Sequence, residues 1–161
     1  MAEHLNPVHS SLPLDLAARI VDEVIAARRK ENLLPLAVAV LDAGGNLVAF
    51  KREDGCGVLR FDIALGKAWA ALGMGMATRV IRDRMAQRPA FQSALAAASD
   101  GRFIPVPGGV LILRDGQAIG AVGISGDASD KDEYCAIAAI QAAGAKSDPA
   151  QPNPEWRNAG L

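Results

Sequence analysis

The stretch Phe103–Glu133, FIPVPGGVLILRDGQAIGAVGISGDASDKDE, decides the fold of this 161-residue chain. A Pro-Gly-Gly turn leads into an apolar strand, Val110–Leu113, and an Asp-Gly corner returns the chain into a second apolar strand, Ala118–Ile124. Asp-Gly between two apolar runs is typical of a tight β-hairpin turn, because both residues tolerate positive φ. A polar loop with several acids then opens a predicted helix, Asp130–Ala143. Hairpin, polar loop and helix in this order are typical of a scaffold for a small-molecule site.

A second hairpin lies nearer the N-terminus. Leu36–Asp42 and Leu47–Lys51 are mostly apolar runs, and the Ala-Gly-Gly-Asn between them favours a turn. Apolar residues at helical spacing predict a first helix from Pro13 to an Arg-Arg-Lys-Glu cluster. Further helices are predicted over Phe61–Leu72, Thr78–Met85 and Ala90–Ala98. The order helix, hairpin, helices, hairpin, helix predicts a mixed α+β domain whose antiparallel sheet has four or five strands.

The length and composition predict a single domain over residues 13–145. Residues 1–12 are expected to form a flexible lead. Residues 146–161 are rich in Ser, Asp, Pro and Gln and are expected to form a tail, an arm that packs on a neighbouring subunit through Trp156. Aromatic residues make up only 4% of the chain, so the core is expected to consist of aliphatic and small side chains that allow close helix approach.

Charge and hydropathy exclude several classes of protein. Lys and Arg number 17 against 18 Asp and Glu, which argues against the basic face that a nucleic-acid partner requires. No window approaches the roughly 20 apolar residues of a membrane span. No basic stretch precedes an apolar run at the N-terminus, so a soluble, cytoplasmic protein is expected. The two cysteines, Cys56 and Cys135, are expected to be reduced thiols.

Two glycine-containing turns are candidate sites for an anion. The Pro-Gly-Gly turn is able to present backbone N–H groups to a carboxylate, and the alternative is a stiff entry to an edge strand. The Gly-Ser-Gly loop after the second strand is able to form a backbone nest in front of a helix N-terminus, and the alternative is ordinary turn chemistry. With two arginines near the first hairpin, the predicted ligand-binding residues are Arg52, Arg60, Pro107, Gly108, Gly109, Ser125, Gly126 and Asp127.

Three charged residues are candidates for a catalytic role, in which the lysine would pair with a carboxylate and an acid would move a proton. Lys67 stands on an otherwise apolar helix, where it is either a surface group or a buried cation that pairs with an acid of the 127–133 loop. Asp130 and Glu133 are three apart and share a helical face, so both are able to reach one pocket. These acids suit a general base or a divalent metal, and the alternative is helix capping. The predicted catalytic residues are Lys67, Asp130 and Glu133, and no metal site is predicted.

A thiol hydrolase is disfavoured by the absence of a partner base. Cys135 lies in the first turn of the last predicted helix, a position that lowers a thiol pKa. A cysteine nucleophile needs a base, however, and residues 13–161 contain no histidine. The sequence therefore contains no assembled catalytic set of this kind.

Three segments carry a resemblance to a known family. They are LAVAVLDAGGNLVAFKREDG (Leu36–Gly55), FDIALGKAWAALGMG (Phe61–Gly75) and IPVPGGVLILRDGQAIGAVGISGDASDKDEYCA (Ile104–Ala136). In this order and spacing the chain resembles the GlcG/HbpS-like heme-binding family, which includes the C-terminal domain of PduO. The resemblance implies a profilin-like antiparallel sheet of about five strands flanked by helices. It also implies a homo-oligomer.

The resemblance implies a small-molecule ligand, with heme as the candidate cofactor. Family members that bind heme have used an N-terminal histidine or nearby groups as the iron ligand. The donors in this chain are His4, His9, Cys56, Met74, Met76, Tyr134 and Cys135. The leading hypothesis is thus a small-ligand binding protein. The alternative is a small catabolic enzyme that moves a proton on an organic acid or its tautomer, and a third hypothesis is an assembly factor for a partner enzyme.

Overall fold

The computed structural model describes residues 5–161, which form five α-helices and five strands. The helices are α1 (Leu14–Lys30), α2 (Arg60–Met74), α3 (Thr78–Met85), α4 (Pro89–Ala98) and α5 (Ser129–Ala142). The strands are β1 (Ala37–Asp42), β2 (Leu47–Arg52), β3 (Gly109–Arg114), β4 (Gln117–Ser125) and β5 (Lys146–Asp148). Across residues 5–161, none of the helices combines the length and apolar character that crossing a bilayer requires.

The strands form one sheet in the order β2-β1-β4-β3-β5, and every neighbouring pair is antiparallel. The two predicted hairpins are β1–β2 and β3–β4, and they join through β1 and β4. This arrangement confirms the predicted α+β class and the antiparallel sheet of about five strands. The C-terminal half of β4 is fully buried because it has strand neighbours on both sides and helices on both faces.

Helices cover the two faces of the sheet in different ways. Helices α1 and α5 lie on one face, against branched side chains such as Val38, Val122 and Ile124. Helix α2 lies on the other face, where the strands present small residues such as Ala39 and Gly123. Because these residues are small, the backbone of α2 comes into direct contact with the sheet, as the shortage of aromatic residues predicts.

The C-terminal segment belongs to the same domain. Lys146–Asp148 forms β5, which pairs with β3 at the edge of the sheet. Trp156 is buried and stacks on Tyr134 of α5, with ring centroids 3.7 Å apart and planes inclined by 9°. The sequence predicted an arm that packs on a neighbouring subunit through Trp156, and in this structure the indole has its aromatic partner within its own chain.

The N-terminal segment is attached to the sheet from Ser11 onward. The Ser11 hydroxyl donates to the Ile119 carbonyl at 3.0 Å and accepts the Ala43 N–H at 2.9 Å. Leu12 is fully buried in the core beside α1. Ser11 and Leu12, which were predicted to belong to the lead, are thus attached to the domain, since Ser11 has tertiary partners more than 30 positions away.

Candidate functional site

Two of the buried charged residues, Lys67 and Asp132, form an ion pair between α2 and α5. Lys67 Nζ lies 3.0 Å from Asp132 Oδ2, and each residue is only 1% exposed. The ammonium also donates to the Ile124 carbonyl at 2.8 Å, and Asp132 Oδ1 accepts the Asp127 N–H at 3.1 Å. The acid that pairs with Lys67 is thus Asp132, which the sequence had left out of the predicted site.

Burial shifts the pKa of both members of the pair. It raises the pKa of Asp132 to about 6, although the positive charge of Lys67 acts in the opposite direction. Burial also lowers the pKa of Lys67, and Asp132 acts against that shift. Perturbed pKa values of this kind are typical of functional sites, but structural ion pairs produce them as well. The closed surroundings keep both groups away from solvent, so the pair acts in this structure as a link between α2 and α5.

The Pro-Gly-Gly turn lies directly against this ion pair. Gly108 has φ of 116°, and a Cβ at this position would lie 2.9 Å from Lys67 Nζ. The Gly108 carbonyl accepts the Ile124 N–H at 3.0 Å, and the Gly109 N–H donates to Thr78 Oγ1 at 2.8 Å. The Gly109 N–H, one of the donors predicted for an anion, is therefore used to hold α3 against the sheet.

The loop after β4 also uses its backbone donors internally. The Asp127 N–H binds Asp132, and the Ala128 N–H donates to Asp127 Oδ1 at 2.7 Å. The second Asp127 oxygen accepts the Leu34 N–H at 2.9 Å. Burial alone would raise the pKa of Asp127, but the two backbone hydrogen bonds lower it below its ordinary value. The chain's own carboxylates thus occupy part of the nest that was predicted to hold an oxyanion after Ser125 and Gly126.

Asp130 and Glu133 lie apart from Lys67 and belong to a second charged cluster. Both Glu133 oxygens lie near Arg79 Nε of α3, at 3.1 and 3.0 Å, and only Oε1 accepts a hydrogen bond. Burial raises the pKa of Glu133, and Arg79 lowers it. Among residues 5–161, Glu133 Oε2 and Asp130 Oδ1 are buried without a hydrogen-bond partner. In the same part of the chain no three His, Cys, Asp or Glu side chains come together as metal ligands.

The open part of the site is the Cys56 surface, which we define as Arg52, Cys56, Val58, Leu59 and Arg60. Cys56 is partly buried against the small residues under α2, and Arg60 donates to the buried Ser125 hydroxyl at 3.2 Å. Val58 and Leu59 are 80% and 64% exposed. Burial raises the pKa of the Cys56 thiol, while Arg60 and Arg52 act to lower it. The surface therefore combines a soft donor, two cations and apolar side chains.

Sequence reasoning missed Asp132 and Arg79 for a common reason. Asp130 and Glu133 were selected because they share a helical face, but the acid that reaches Lys67 is Asp132, whereas Glu133 reaches Arg79. Arg79 lies on α3 and reaches Glu133, which is 54 positions away along the chain. Neither residue has a local motif that marks its partner, since each pairing depends on how α2 and α3 meet α5.

Comparison with known proteins identifies the family. Residues 12–141 match the family described as "Haem degrading protein HbpS-like". The chain belongs to the HbpS-like family. This HbpS-like chain is 36% identical over 115 residues to protein GlcG of Escherichia coli K12, a match that covers 68% of the chain and 81% of GlcG. It is 32% identical over 124 residues to an uncharacterized 15.0 kDa protein from the dhaT-dhaS intergenic region of Citrobacter freundii, covering 77% and 87% of the two chains.

A solved structure extends the comparison to the whole HbpS-like fold. The crystal structure of the PduOC:heme complex matches with a TM-score of 0.76 and 25% sequence identity. The match covers 85% of this chain and 98% of the PduOC chain. The family resemblance predicted from the three sequence segments is confirmed.

The two thiols of this HbpS-like protein are expected to differ sharply in reactivity. Cys135 is fully buried, and burial raises its pKa strongly, whereas Cys56 is partly exposed. Because the thiolate is the reactive form, a disulfide reagent added to the native protein should modify one thiol, and faster as pH rises. Mass spectrometry should locate the label on Cys56, and denaturation should make the Cys135 thiol accessible to the reagent. Equal labelling of both in the native protein would contradict the burial of Cys135.

Proposed function

We propose that this protein is a small-ligand binding protein whose ligand is a tetrapyrrole, with heme as the first candidate, and that it binds this ligand at the Cys56 surface. One observation carries the proposal: a partly exposed thiol lies beside two arginines and two exposed apolar side chains. The heme in the PduOC:heme complex belongs to PduOC, and the likeness of that protein to this chain over most of both lengths supports the choice of ligand.

The donor chemistry of the Cys56 surface fits heme. Cysteine thiolate is an established axial ligand of heme iron. Arginine pairs well with carboxylates, so Arg52 and Arg60 would bind the two carboxylate arms. Val58 and Leu59 would cover apolar parts of the ring and lose exposed surface on binding. Bound heme would supply a redox-active iron, and the protein's part is to bind and orient it.

The other candidate donors are less suitable. Cys135 is fully buried, and the Tyr134 ring stacks on Trp156 while its hydroxyl donates to Glu31 at 3.3 Å. Met74 and Met76 pack with the cluster between α2 and α3. His9 is exposed and precedes the segment that attaches near the β1–β2 hairpin, and His4 lies outside the described residues. His9 therefore remains as the second donor to test.

Hemin titration tests the proposal. The wild-type protein is expected to shift and sharpen the Soret band at one equivalent, and Cys56→Ser should abolish that spectrum. His9→Ala and Met74→Leu are matched controls that should leave it unchanged. Because the thiolate is the ligand and burial raises the pKa of Cys56, affinity should increase as pH rises. Absence of any Soret shift would rule out heme. A Soret shift that is lost in His9→Ala would mean that the iron ligand is His9 and not Cys56.

A small enzyme acting on an organic acid is a second candidate. The observation that favours it is the Lys67–Asp132 pair, whose carboxyl has a pKa of about 6 and whose ammonium is close enough to Arg60 for that charge to lower the pKa of Lys67. In this alternative Arg60 binds a substrate carboxylate, Asp132 moves the proton, and opening of the Pro-Gly-Gly turn admits the substrate. Full turnover by Arg60→Gln, on any enol or keto acid found to react, would exclude it.

Homo-oligomerisation, which the family resemblance implies, is part of the proposal. Leu47 and Phe50 of the edge strand β2 are partly exposed and would be covered between copies. Light scattering of the purified protein measures the number of subunits directly.

A further inference from the structure

A separate apolar cavity lies between α2 and α4, on the far side of the domain core from α1. We call it the α2–α4 cavity. Its volume is about 180 Å³. It is lined by Trp69, Gly73, Met74, Leu95, Ala98, Ser99 and Phe103. Apart from the Ser99 hydroxyl and the indole N–H, the side chains around it are apolar.

The size of the cavity selects the size of its ligand. A cavity of about 150 Å³ lined by aliphatic and aromatic side chains is known to hold one benzene ring. The α2–α4 cavity is slightly larger and is open at one side, so it suits a single six-membered ring with a short substituent. A tetrapyrrole has four pyrrole rings and does not fit within it. The cavity is therefore distinct from the proposed heme site.

A positioned cation borders the cavity. The guanidinium carbon of Arg102 lies 4.4 Å from the centre of the Trp69 ring, and its Nε donates to the Ser99 carbonyl at 3.1 Å. Both contacts are with residues that line the cavity. Within residues 5–161, the terminal Nη groups of Arg102 have no hydrogen-bond or ion-pair partner. The stacking holds the side chain in place and leaves the two Nη groups available to bind a carboxylate with two hydrogen bonds.

Helix α4 forms a loosely held wall of the cavity. Its sequence, PAFQSALAAA, has no charged residue, and none of these ten described residues is fully buried. An uncharged helix with so little burial gains stability if a ligand fills the space beneath Leu95 and Ala98. The same loose attachment provides a route by which a ring enters.

We infer that the α2–α4 cavity binds a small aromatic carboxylate, with its ring between Trp69 and Leu95 and its carboxylate on Arg102. The cavity supplies the apolar contacts, and the guanidinium supplies the charge. This site is independent of the proposed heme site, since it uses neither Cys56 nor the two arginines beside it. Benzoate is the simplest probe with these features.

Fluorescence of Trp69 provides a direct readout. In a Trp156→Phe protein, which keeps an aromatic ring against Tyr134, Trp69 is the only tryptophan. Benzoate is expected to change its emission with a dissociation constant of about 1 mM or below. Benzamide, which has the ring without the charge, and acetate, which has the charge without the ring, should each bind at least about tenfold more weakly. Calorimetry on the wild type provides a check that does not depend on the substitution.

Two matched pairs of variants test the geometry. Arg102→Gln should weaken benzoate binding at least about tenfold, whereas Arg88→Gln, which removes a similar stacked arginine over Phe91, should not change it. Ala98→Phe should fill the cavity and abolish binding, whereas Ala97→Phe, one position along the same helix, should retain it. The inference is overturned if benzamide binds as tightly as benzoate, if Arg102→Gln leaves benzoate binding unchanged, or if benzoate does not bind. It is also overturned by a signal that disappears as copies of the protein associate, because the cavity would then belong to an interface.

Discussion

Replacing Gly123 with alanine is expected to destabilise the protein by more than about 3 kcal/mol, beyond the usual cost of an overpacked core. A Cβ at this position of β4 would lie 1.8 Å from the Ala64 carbonyl oxygen and 2.7 Å from the Ala68 nitrogen. Both atoms belong to the backbone of α2, so relief requires the whole helix to move off the sheet. Urea denaturation followed by circular dichroism should show a lower midpoint or no folded protein. Since domains are stable by only about 5–15 kcal/mol, soluble yield should also fall.

Gly73→Ala is the matched control for this experiment. Gly73 lies in α2 itself, and its added Cβ would meet only the Trp69 ring at 3.7 Å, which is an ordinary contact. Alanine is the better helix former, so this variant is expected to gain about 0.5–1 kcal/mol. A Gly123→Ala protein as stable as the wild type would mean that α2 does not contact β4 as closely as described.

Lys67→Met is expected to cost about 3–5 kcal/mol near neutral pH, because it leaves the buried carboxylate of Asp132 without its cation. The loss also removes the hydrogen bond to the Ile124 carbonyl. Lys131→Met is the control: this lysine lies 3.5 Å from Asp127, is partly exposed and should contribute about 1 kcal/mol or less. The double variant Lys67→Met/Asp132→Leu should recover much of the lost stability, since it removes the unpaired charge.

The cost of Lys67→Met is expected to depend on pH. Burial raises the folded-state pKa of Asp132 from 3.8 to about 6. An acid with a raised folded pKa stabilises the folded state below its unfolded pKa, and this contribution is lost as pH rises through the folded pKa. In the wild type this stabilising contribution has been lost by about pH 6. In Lys67→Met the positive charge that lowers the pKa of Asp132 is absent, so that pKa is higher and stability continues to fall as pH rises above 6.

Denaturation at two pH values tests this dependence. Lys67→Met should be more destabilised, relative to the wild type, at about pH 8 than at about pH 5. An equal difference at both pH values would assign the effect to another group, and an Asp132→Asn background should remove the dependence.

The regular elements of the fold were predictable because local chemistry specifies them. The hairpin β3–β4 follows from Asp115-Gly116 between two apolar runs, and both of these residues have positive φ in the structure. Strand β5 was not predictable: Lys-Ser-Asp has no apolar alternation, and it becomes a strand only because β3 offers it an open edge. The same holds for Trp156, whose partner Tyr134 lies 22 positions earlier in the chain (156 − 134).

The charged residues also show the difference between what local sequence predicts and what tertiary contacts decide. The position of Lys67 on an apolar helix indicated either a surface group or a buried pair, and the pair was found with Asp132. Nothing in the sequence distinguishes Asp132 from Asp130 or Glu133 as the partner. That choice depends on the angle at which α5 leaves the sheet relative to α2. The two glycine-containing turns were predicted to bind anions through backbone N–H groups. In the structure the Gly109 N–H donates to Thr78 and the Asp127 N–H donates to Asp132.

By itself, the sequence determined the family, the α+β class, the two hairpins and the helices, because turn residues and apolar periodicity act over a few positions. Only the tertiary structure decided which acid neutralises Lys67, which N–H groups remain available and where apolar space is left open. These properties arise from contacts between residues far apart in the chain, such as Arg79 with Glu133 and Arg102 with Trp69. Their energies depend on burial, and burial is a property of the packed domain.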